Sequence, residues 1–411
     1  EVTETQKNAV DGNNIVKTLD YNVQSIIEKC ILEYNEEKPS KNTAVVVADP
    51  SNGEILGMAS YPTFNLNDPR KLTGMYTDEE IKDMSDEEYR NNLYSLWTNY
   101  CVSESYEPGS TFKPVTVASA LEEGVVKDGD TYVCKGFETV ADYKLKCHVF
   151  STIGSHGSLT VEQALMNSCN PYMIHLALEM GNSRFAYYQS LFGFGKITGI
   201  DLPGETTGIV YGDRMTTIDA ACNSFGQTIN VNMMQMMAAY CSIINGGMLY
   251  QPHIVKRIES ANGEVVKEYK ANLVRQTITA STSKLLRRYL KNTVEEGTAK
   301  KAGVTGYSVA GKTGTAQKGD RKDNKWIISF IGHAPAENPK FAIYVVIDEP
   351  YGTTGTSGSS ADVLTLTHNI LEKLLPYMNV YKDASDEYED TSSSPDELTV
   401  DGIPAGTASS N

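Results

Sequence analysis

Strand-forming segments stand at the two ends of this chain, and a long block of helical character separates them. Near the N-terminus, Thr43-Ala44-Val45-Val46-Val47-Ala48 and Glu54-Ile55-Leu56-Gly57-Met58-Ala59 flank the turn Asp49-Pro50-Ser51-Asn52-Gly53, which predicts a hairpin. Near the C-terminus, residues 307–312, 326–332 and 341–347 predict three more strands. Residues 160–300 read mostly helical, with Gly-rich breaks at 193–212 and 245–247. If these strands pair in one sheet, the sheet must be built from both ends. The expected class is α+β: an antiparallel sheet from both chain ends, flanked by helices, carrying a large, mostly helical insertion. Residues 21–36, with Val23, Ile26, Ile27, Cys30 and Ile31 at helical spacing, and the apolar run 363–375 predict the flanking helices.

The rest of the chain sorts by composition. Residues 1–20 are polar and weakly patterned and read as a linker or the remnant of a preceding domain. Residues 60–106, charged between Asp78 and Arg90, read as a surface excursion, and residues 127–158 read as loop. The stretch 381–411 is acidic and rich in Ser, Thr, Gly and Pro, and is expected to be a disordered tail or linker. One folded domain over 21–380 is therefore expected. The net charge of −16 argues against nucleic acid or an anionic membrane surface as partner. No apolar run approaches the roughly 18 residues that span a bilayer. The first residue is Glu1 rather than Met, so a piece whose targeting segment has been removed is expected.

Chemistry is concentrated in Glu107-Pro108-Gly109-Ser110-Thr111-Phe112-Lys113-Pro114. Pro108 and Gly109 break the preceding structure, and an apolar, alanine-rich run follows. At a helix start, Ser110 and Lys113 share one face. A serine hydroxyl needs a base, and a poorly solvated lysine loses enough basicity to serve. A second Ser-x-x-Lys, Ser281-Thr282-Ser283-Lys284, lies in a polar segment without that punctuation and reads as a solvated helix start.

Two further patterns follow Ser110: Ser168-Cys169-Asn170 before Pro171, and Lys312-Thr313-Gly314-Thr315 at the end of a predicted strand. Each alone is an ordinary turn or loop. In the order Ser-x-x-Lys, Ser-x-Asn, Lys-Thr-Gly they form the set found in penicillin-binding proteins and serine β-lactamases. Acyl transfer needs a nucleophile (Ser110), a base (Lys113) and a proton relay to the leaving amine (Ser168). Backbone N–H groups of Ser110 and Thr315 offer an oxyanion hole. Lys312, Thr313 and Thr315 offer partners for a terminal carboxylate, and Gly314 leaves room for substrate along the strand. Asn170 either holds a substrate amide or bonds the lysine.

The sequence resembles the transpeptidase domain of a class B, monofunctional penicillin-binding protein. Beyond the three motifs, the similarity runs through 43–62, 106–114, 167–171, Ser224-Phe225-Gly226-Gln227, Asn245-Gly246-Gly247, the 294–300 segment and 309–317, spanning roughly 15–380. The resemblance implies a serine D,D-transpeptidase that cross-links peptidoglycan stem peptides through an acyl-enzyme on Ser110 and is inhibited covalently by β-lactam antibiotics. It implies no cofactor for catalysis. It also implies an extracytoplasmic position on a bacterial membrane, an N-terminal anchoring helix absent from this chain, and membrane partners in cell-wall synthesis. The rival readings are a serine β-lactamase and a β-lactam sensor without turnover. The length and class B-like flanking runs argue against the first; sensing also needs acylation, so the motifs leave the second open.

Of seven cysteines, Cys101, Cys134 and Cys147, with His156, make a Cys₃His set fit for structural zinc. A Cys134–Cys147 disulfide, permitted outside the cytoplasm, and free thiols stand as alternatives, as does His148 as a ligand. Cys30, Cys169, Cys222 and Cys241 read as buried small hydrophobes, and His175, His253, His333 and His368 as structural residues. The run Met233, Met234, Met236, Met237 reads as helix core.

Overall fold

The computed structural model describes residues 11–72, 76–319, 323, 325–350 and 359–383. The expectations for residues 1–10 and 384–411 lie outside the described residues.

Along the chain, β1 (Asn14–Lys17) and α1 (Tyr21–Glu37) precede β2 (Ser40–Ala48) and β3 (Ile55–Tyr61). Then come α2 (Asp78–Asp83), α3 (Asp86–Trp97) and α4 (Tyr100–Ser103), and a 3-10 turn, Gly109–Phe112, that runs into α5 (Lys113–Glu123). Four short strands, β4 (Thr131–Cys134), β5 (Phe137–Val140), β6 (Tyr143–Lys146) and β7 (Gly157–Thr160), lead to α6 (Val161–Met166), α7 (Asn170–Met180), α8 (Asn182–Leu191), α9 (Thr217–Asn223) and α10 (Met233–Ile244). β8 (Met248–Tyr250), β9 (Val255–Glu259), β10 (Val265–Glu268) and β11 (Leu273–Gln276) precede α11 (Ala280–Glu295). β12 (Ala310–Lys318), β13 (Lys325–Ala334), β14 (Phe341–Pro350) and α12 (Ala361–Tyr377) complete the order.

The expected sheet is present. Five antiparallel strands lie in the order β12-β13-β14-β2-β3, so strands from both chain ends meet where β14 pairs with β2. The unbroken run Ala44 to Ala48 is explained by burial on both faces. Val45 and Val47 pack with Phe330, Ile343 and Val345 against Val23 and Ile27 of α1 and Ile370 and Leu374 of α12. Ala44, Val46 and Ala48 face the opposite core, with Tyr344 and Val346, against the helical block. Gly57 lets α1 lie close on β3: a Cβ there would come within 2.9 Å of Val23 Cγ1 and 3.1 Å of Ile27 Cδ1. Asp20 starts α1 by accepting from the Asn22 and Val23 N–H groups. The methionine run is buried in α10, as its pattern predicts.

Several local expectations are corrected. Residues 14–17 are a strand paired with β9, not linker. The 60–106 excursion carries α2, α3 and α4, the first two capped by Thr77 and Ser85, around a small cluster of Leu72, Leu93 and Leu96. Residues 127–158 contain most of two hairpin-like pairs, β4–β7 and β5–β6. The nominally helical 160–300 block includes β8 to β11. These strands have three to five residues each, too few for a period-2 pattern to declare itself. Ser281 does lie in the first turn of α11, where Thr279 caps the helix, and its side chain is exposed.

Candidate active site

Ser110 lies in the 3-10 turn and Lys113 opens α5, where Pro114, with no N–H to waste, occupies the first turn. Gly109 sets this turn against the sheet. It adopts φ +56, and a Cβ there would lie 2.5 Å from the Thr315 carbonyl oxygen. On its other side, the Gly109 N–H donates to the Gly226 carbonyl at 3.0 Å, and a Cβ on Gly226 would lie 2.0 Å from Gly109 O. The turn is thus gripped between β12 and the 223–228 segment. Glu107 strengthens the grip by accepting from the Thr228 N–H at 2.8 Å, and partial burial raises its carboxyl pKa.

Lys113 is fully buried, and its Nζ donates to Ser168 O at 2.6 Å, Ser168 Oγ at 3.1 Å and Asn170 Oδ1 at 2.6 Å. Burial pushes its ammonium down to about 8, against the opposing pull of the Cys147 and Cys169 sulfurs. Lys312, on β12, is also fully buried, and its Nζ donates to Ser168 Oγ at 3.1 Å and Thr313 O at 3.1 Å. Burial, then repulsion from Lys113, holds the Lys312 ammonium well below its ordinary value. The Ser168 hydroxyl therefore sits between two amines of weakened basicity. Ser168 takes φ +54, uncommon for a residue with a side chain, in the turn joining α6 to α7. Asn170 begins α7, and its Nδ2 lies 3.4 Å from Lys146 O.

The structure brings Ser110, Lys113, Ser168, Asn170, Lys312, Thr313, Gly314 and Thr315 to the junction of α5, the α6–α7 turn and edge strand β12. The Lys-Thr-Gly segment lies inside β12 rather than at its end. Gly314 has a packing reason beside the one its sequence offers. A Cβ there would lie 2.5 Å from Ser329 Oγ, 2.9 Å from Pro108 O and 2.9 Å from Thr111 Cγ2, so the glycine lets the Ser110 turn lie against β12. Thr298, part of the 294–300 segment but given no role by the sequence reading, places its hydroxyl 3.5 Å from that of Thr313.

The Cys₃His set exists with one member exchanged. Ligand atoms of Cys134, Cys147, His156 and Cys169 all lie within 4.8 Å of one another. Cys101 is not among them: it lies on α4, its Sγ near Ala59 O at 3.8 Å, with burial pushing its thiol up to about 12. Cys169, read as a small hydrophobe, takes its place because the turn carrying Ser168 and Asn170 faces the β4–β7 strands. His156 Nδ1 is 3.6 Å from Cys147 Sγ and 3.8 Å from Cys134 Sγ. The Cys147 thiol is held toward thiolate by bonding to Cys169, His148 and His156. All seven cysteines are free thiols. Three sulfurs and one imidazole at this separation fit a closed tetrahedral zinc site. The remaining histidines include His333, fully buried between Tyr240 Oη at 2.8 Å and Ala336 O at 3.1 Å, where burial lowers it to about 3.

Comparison with known proteins agrees with this architecture. Residues 43–372 match the penicillin-binding protein transpeptidase domain. Over 377 residues the chain is 38% identical to stage V sporulation protein D of Bacillus subtilis, covering 90% of this chain and 54% of that protein. It is 29% identical to the peptidoglycan D,D-transpeptidase FtsI of Escherichia coli, covering 91% of this chain and 58% of that protein. The chain thus spans little more than half the length of these relatives. Penicillin-binding protein 3 of Mycobacterium tuberculosis superposes with a TM-score of 0.78 at 26% identity, covering 92% of this chain and 83% of that chain. Its ampicillin complex matches equally well, at 27% identity and with 93% and 82% covered. The order of the motifs, the two-ended sheet and these matches agree: the chain belongs to the penicillin-binding proteins, as a transpeptidase domain of the class B type.

Proposed function

We propose that this chain is a serine D,D-transpeptidase that cross-links peptidoglycan stem peptides and is acylated by β-lactams. The observation that carries the reading is the Ser168 hydroxyl, held 3.1 Å from both Lys113 Nζ and Lys312 Nζ beside the Ser110 turn. Lys113, as the free amine, takes the Ser110 proton while Oγ bonds to the carbonyl carbon of the penultimate D-alanine. The resulting oxyanion is met by backbone N–H groups of Ser110 and Thr315. As the C–N bond breaks, the leaving D-alanine amine receives a proton through Ser168. An amine from a second stem then attacks the ester, and Ser110 recovers its proton.

Lys312, Thr313 and Thr315 receive the terminal carboxylate, with Gly314 between them keeping strand and turn in contact. Asn170, already bonded to Lys113, orients that amine and presents its Nδ2 toward the acyl half of the substrate. No cofactor enters these steps. The D-Ala-D-Ala stem and the β-lactam ring share the reactive carbonyl and a nearby carboxylate, which is why one site accepts both.

Intact-mass measurement after exposure to a penicillin tests the nucleophile. The native chain and Ser281→Ala should gain one drug mass, and Ser110→Ala none; labelling of Ser110→Ala would overturn the assignment.

Cys134, Cys147, Cys169 and His156 form the structural zinc site in this reading. A bound zinc would tie the β4–β7 strands to the turn carrying Ser168 and Asn170 and supply no chemistry to acyl transfer. Elemental analysis of protein purified without chelator should find about one zinc per chain, and Cys169→Ser should lose it while Cys101→Ser keeps it. Domain limits of 21–380 suit the folded unit, to which β1 adds an edge. The activity calls for stem peptides outside the cytoplasm. Anchoring at a bacterial membrane and contact with membrane partners in cell-wall synthesis belong to the same reading. Among the described residues no helix is long and apolar enough to cross a membrane.

A further inference from the structure

The start of β2 and the end of β3 meet α3 and α4 around a pocket of about 450 Å³, the size of a small-ligand site. Asn42, Ser60, Tyr61, Asn92, Ser95 and Tyr100 are among its lining residues. In a chain of net charge −16, no carboxylate lines this pocket among the described residues. Its charged lining group, Lys41, is already paired with Glu349 at 3.2 Å. Among the described residues, the side-chain polar atoms of Asn42, Ser60, Tyr61 and Ser95 have no hydrogen-bond partner. Ser60 and Tyr61 also border an adjoining groove of about 750 Å³, where Phe64 and the 39% exposed Trp97 add aromatic surface.

This pocket stands apart from the Ser110 site. Register runs straight across the sheet from Thr315 through Ile328, Ile347 and Thr43 to Tyr61, four strand spacings or about 19 Å. Nor does it suit an added peptide strand. β3 is an edge strand, but much of its free edge is already occupied. Thr18 Oγ1 donates to Ile55 O at 2.6 Å, and the Asp20 N–H donates to Leu56 O at 2.8 Å. Gln24 brackets Met58, accepting from its N–H at 2.9 Å and donating to its carbonyl at 2.8 Å. A peptide would need those backbone groups for its ladder. What the pocket offers instead is a wall of hydroxyls, side-chain amides and tyrosine rings.

We propose that this pocket and the groove beside it bind an uncharged chain of N-acetylated amino sugars. The sugar hydroxyls are neutral donors and acceptors, and the lining meets them with neutral groups that have no partner of their own. The acetamido group presents one N–H and one C=O, which the side-chain amides of Asn42 and Asn92 answer in kind. The C–H faces of sugar rings are apolar and lie well on aromatic faces, here those of Tyr61, Phe64 and Trp97. Because pocket and groove share a wall, successive rings of one chain have room to lie side by side. That the chain is the glycan strand bearing the stem peptides rests on the acyl-transfer reading above; the chemistry of the pocket does not.

Saturation-transfer NMR tests this with chitotetraose, which carries acetamido groups and no peptide, against maltotetraose, which carries neither. Chitotetraose should bind the native chain more tightly than maltotetraose, and equally well after Ser110 has been blocked by a penicillin. Asn42→Ala/Ser95→Ala should weaken chitotetraose binding about tenfold, the order expected when two ordinary hydrogen bonds are lost. Penicillin acylation of that variant should stay within about twofold of the native rate, because the two sites are far apart, and this shows the variant folded. No chitotetraose signal, equal binding of the two sugars, or unchanged affinity in the double variant would overturn the proposal. Loss of binding on blocking Ser110 would place the sugar at the acyl-transfer site and overturn it likewise. So would a neutral Gly-Ser hexapeptide that binds as tightly as chitotetraose, which would make the pocket a peptide groove. Absence of penicillin labelling in the native chain would overturn the acyl-transfer reading and with it the identity of the sugar as stem-bearing glycan, while the two sugars and the double variant still decide the pocket.

Discussion

Lys113 owes its chemistry to burial. An exposed lysine keeps nearly all its protons at neutral pH, whereas one held at about 8 is neutral in about a tenth of molecules at pH 7. In the proposed mechanism the neutral amine is the base, so acylation should rise as pH climbs through about 8 and then level. The midpoint belongs to the Lys113–Lys312 pair, because protonating one raises the cost of protonating the other. Stopped-flow acylation by a penicillin across that range measures it; a rate independent of pH would remove Lys113 from the role of base. Gly314→Ala should also be costly. The added methyl meets Pro108 O, Ser329 Oγ and Thr111 Cγ2 at once, which predicts a loss of about 1–3 kcal/mol in denaturant unfolding together with slower acylation. Residues at this scale were readable when chemistry and chain spacing coincide. Ser110, Lys113, Ser168, Asn170 and Lys312 announce themselves through short fixed intervals. Cys169 did not, since its partners Cys134, Cys147 and His156 reach it only through the fold, while Cys101 looked equivalent and is directed elsewhere. The packing reason for Gly314 was not legible, because a contact with Pro108 and Thr111 leaves no trace in sequence.

Among elements, long ones with a single period were legible and short ones were not. The α1 pattern holds because Val23, Ile27 and Cys30 form one buried stripe, and the strand 44–48 because both its faces are covered. The four-residue strands β4 to β7 lack that redundancy; tertiary pairing makes them strands. The 223–228 segment matters in the same non-local way. Gly226 →Ala would set a methyl 2.0 Å from Gly109 O, so the grip on the Ser110 turn should fail and penicillin labelling should drop by at least about tenfold, the order expected when a reacting group is displaced by about 1 Å. Labelling within twofold of the native rate would show that the turn does not depend on this contact. At α10, Asn232 caps the helix by accepting from the Gln235 N–H at 2.8 Å and also donates to Thr206 O at 2.7 Å. Asn232→Ala should therefore cost about 1–2 kcal/mol by chemical denaturation, with no change in the chain's order of β-lactam preference.

At the scale of the whole molecule, the two-ended sheet makes the last strands of the chain partners of the first. β14 cannot complete the sheet without β2, and β12 cannot present Lys312 without β13 and β14. The Ser110 turn adds a second closure, since it is held by Thr315 on one side and Gly226 on the other. Ser168 joins both through the two lysines. If the proposed function holds, reactivity toward penicillin requires that segments separated by most of the sequence have assembled. The drug then doubles as a clock for folding. In refolding from denaturant, far-UV signal from the helical block should return first, and covalent labelling should appear with the final, slowest phase, because distant contacts carry the larger loop-closure cost. Pulse labelling with a fluorescent penicillin during refolding would time the arrival of the finished molecule one acyl bond at a time.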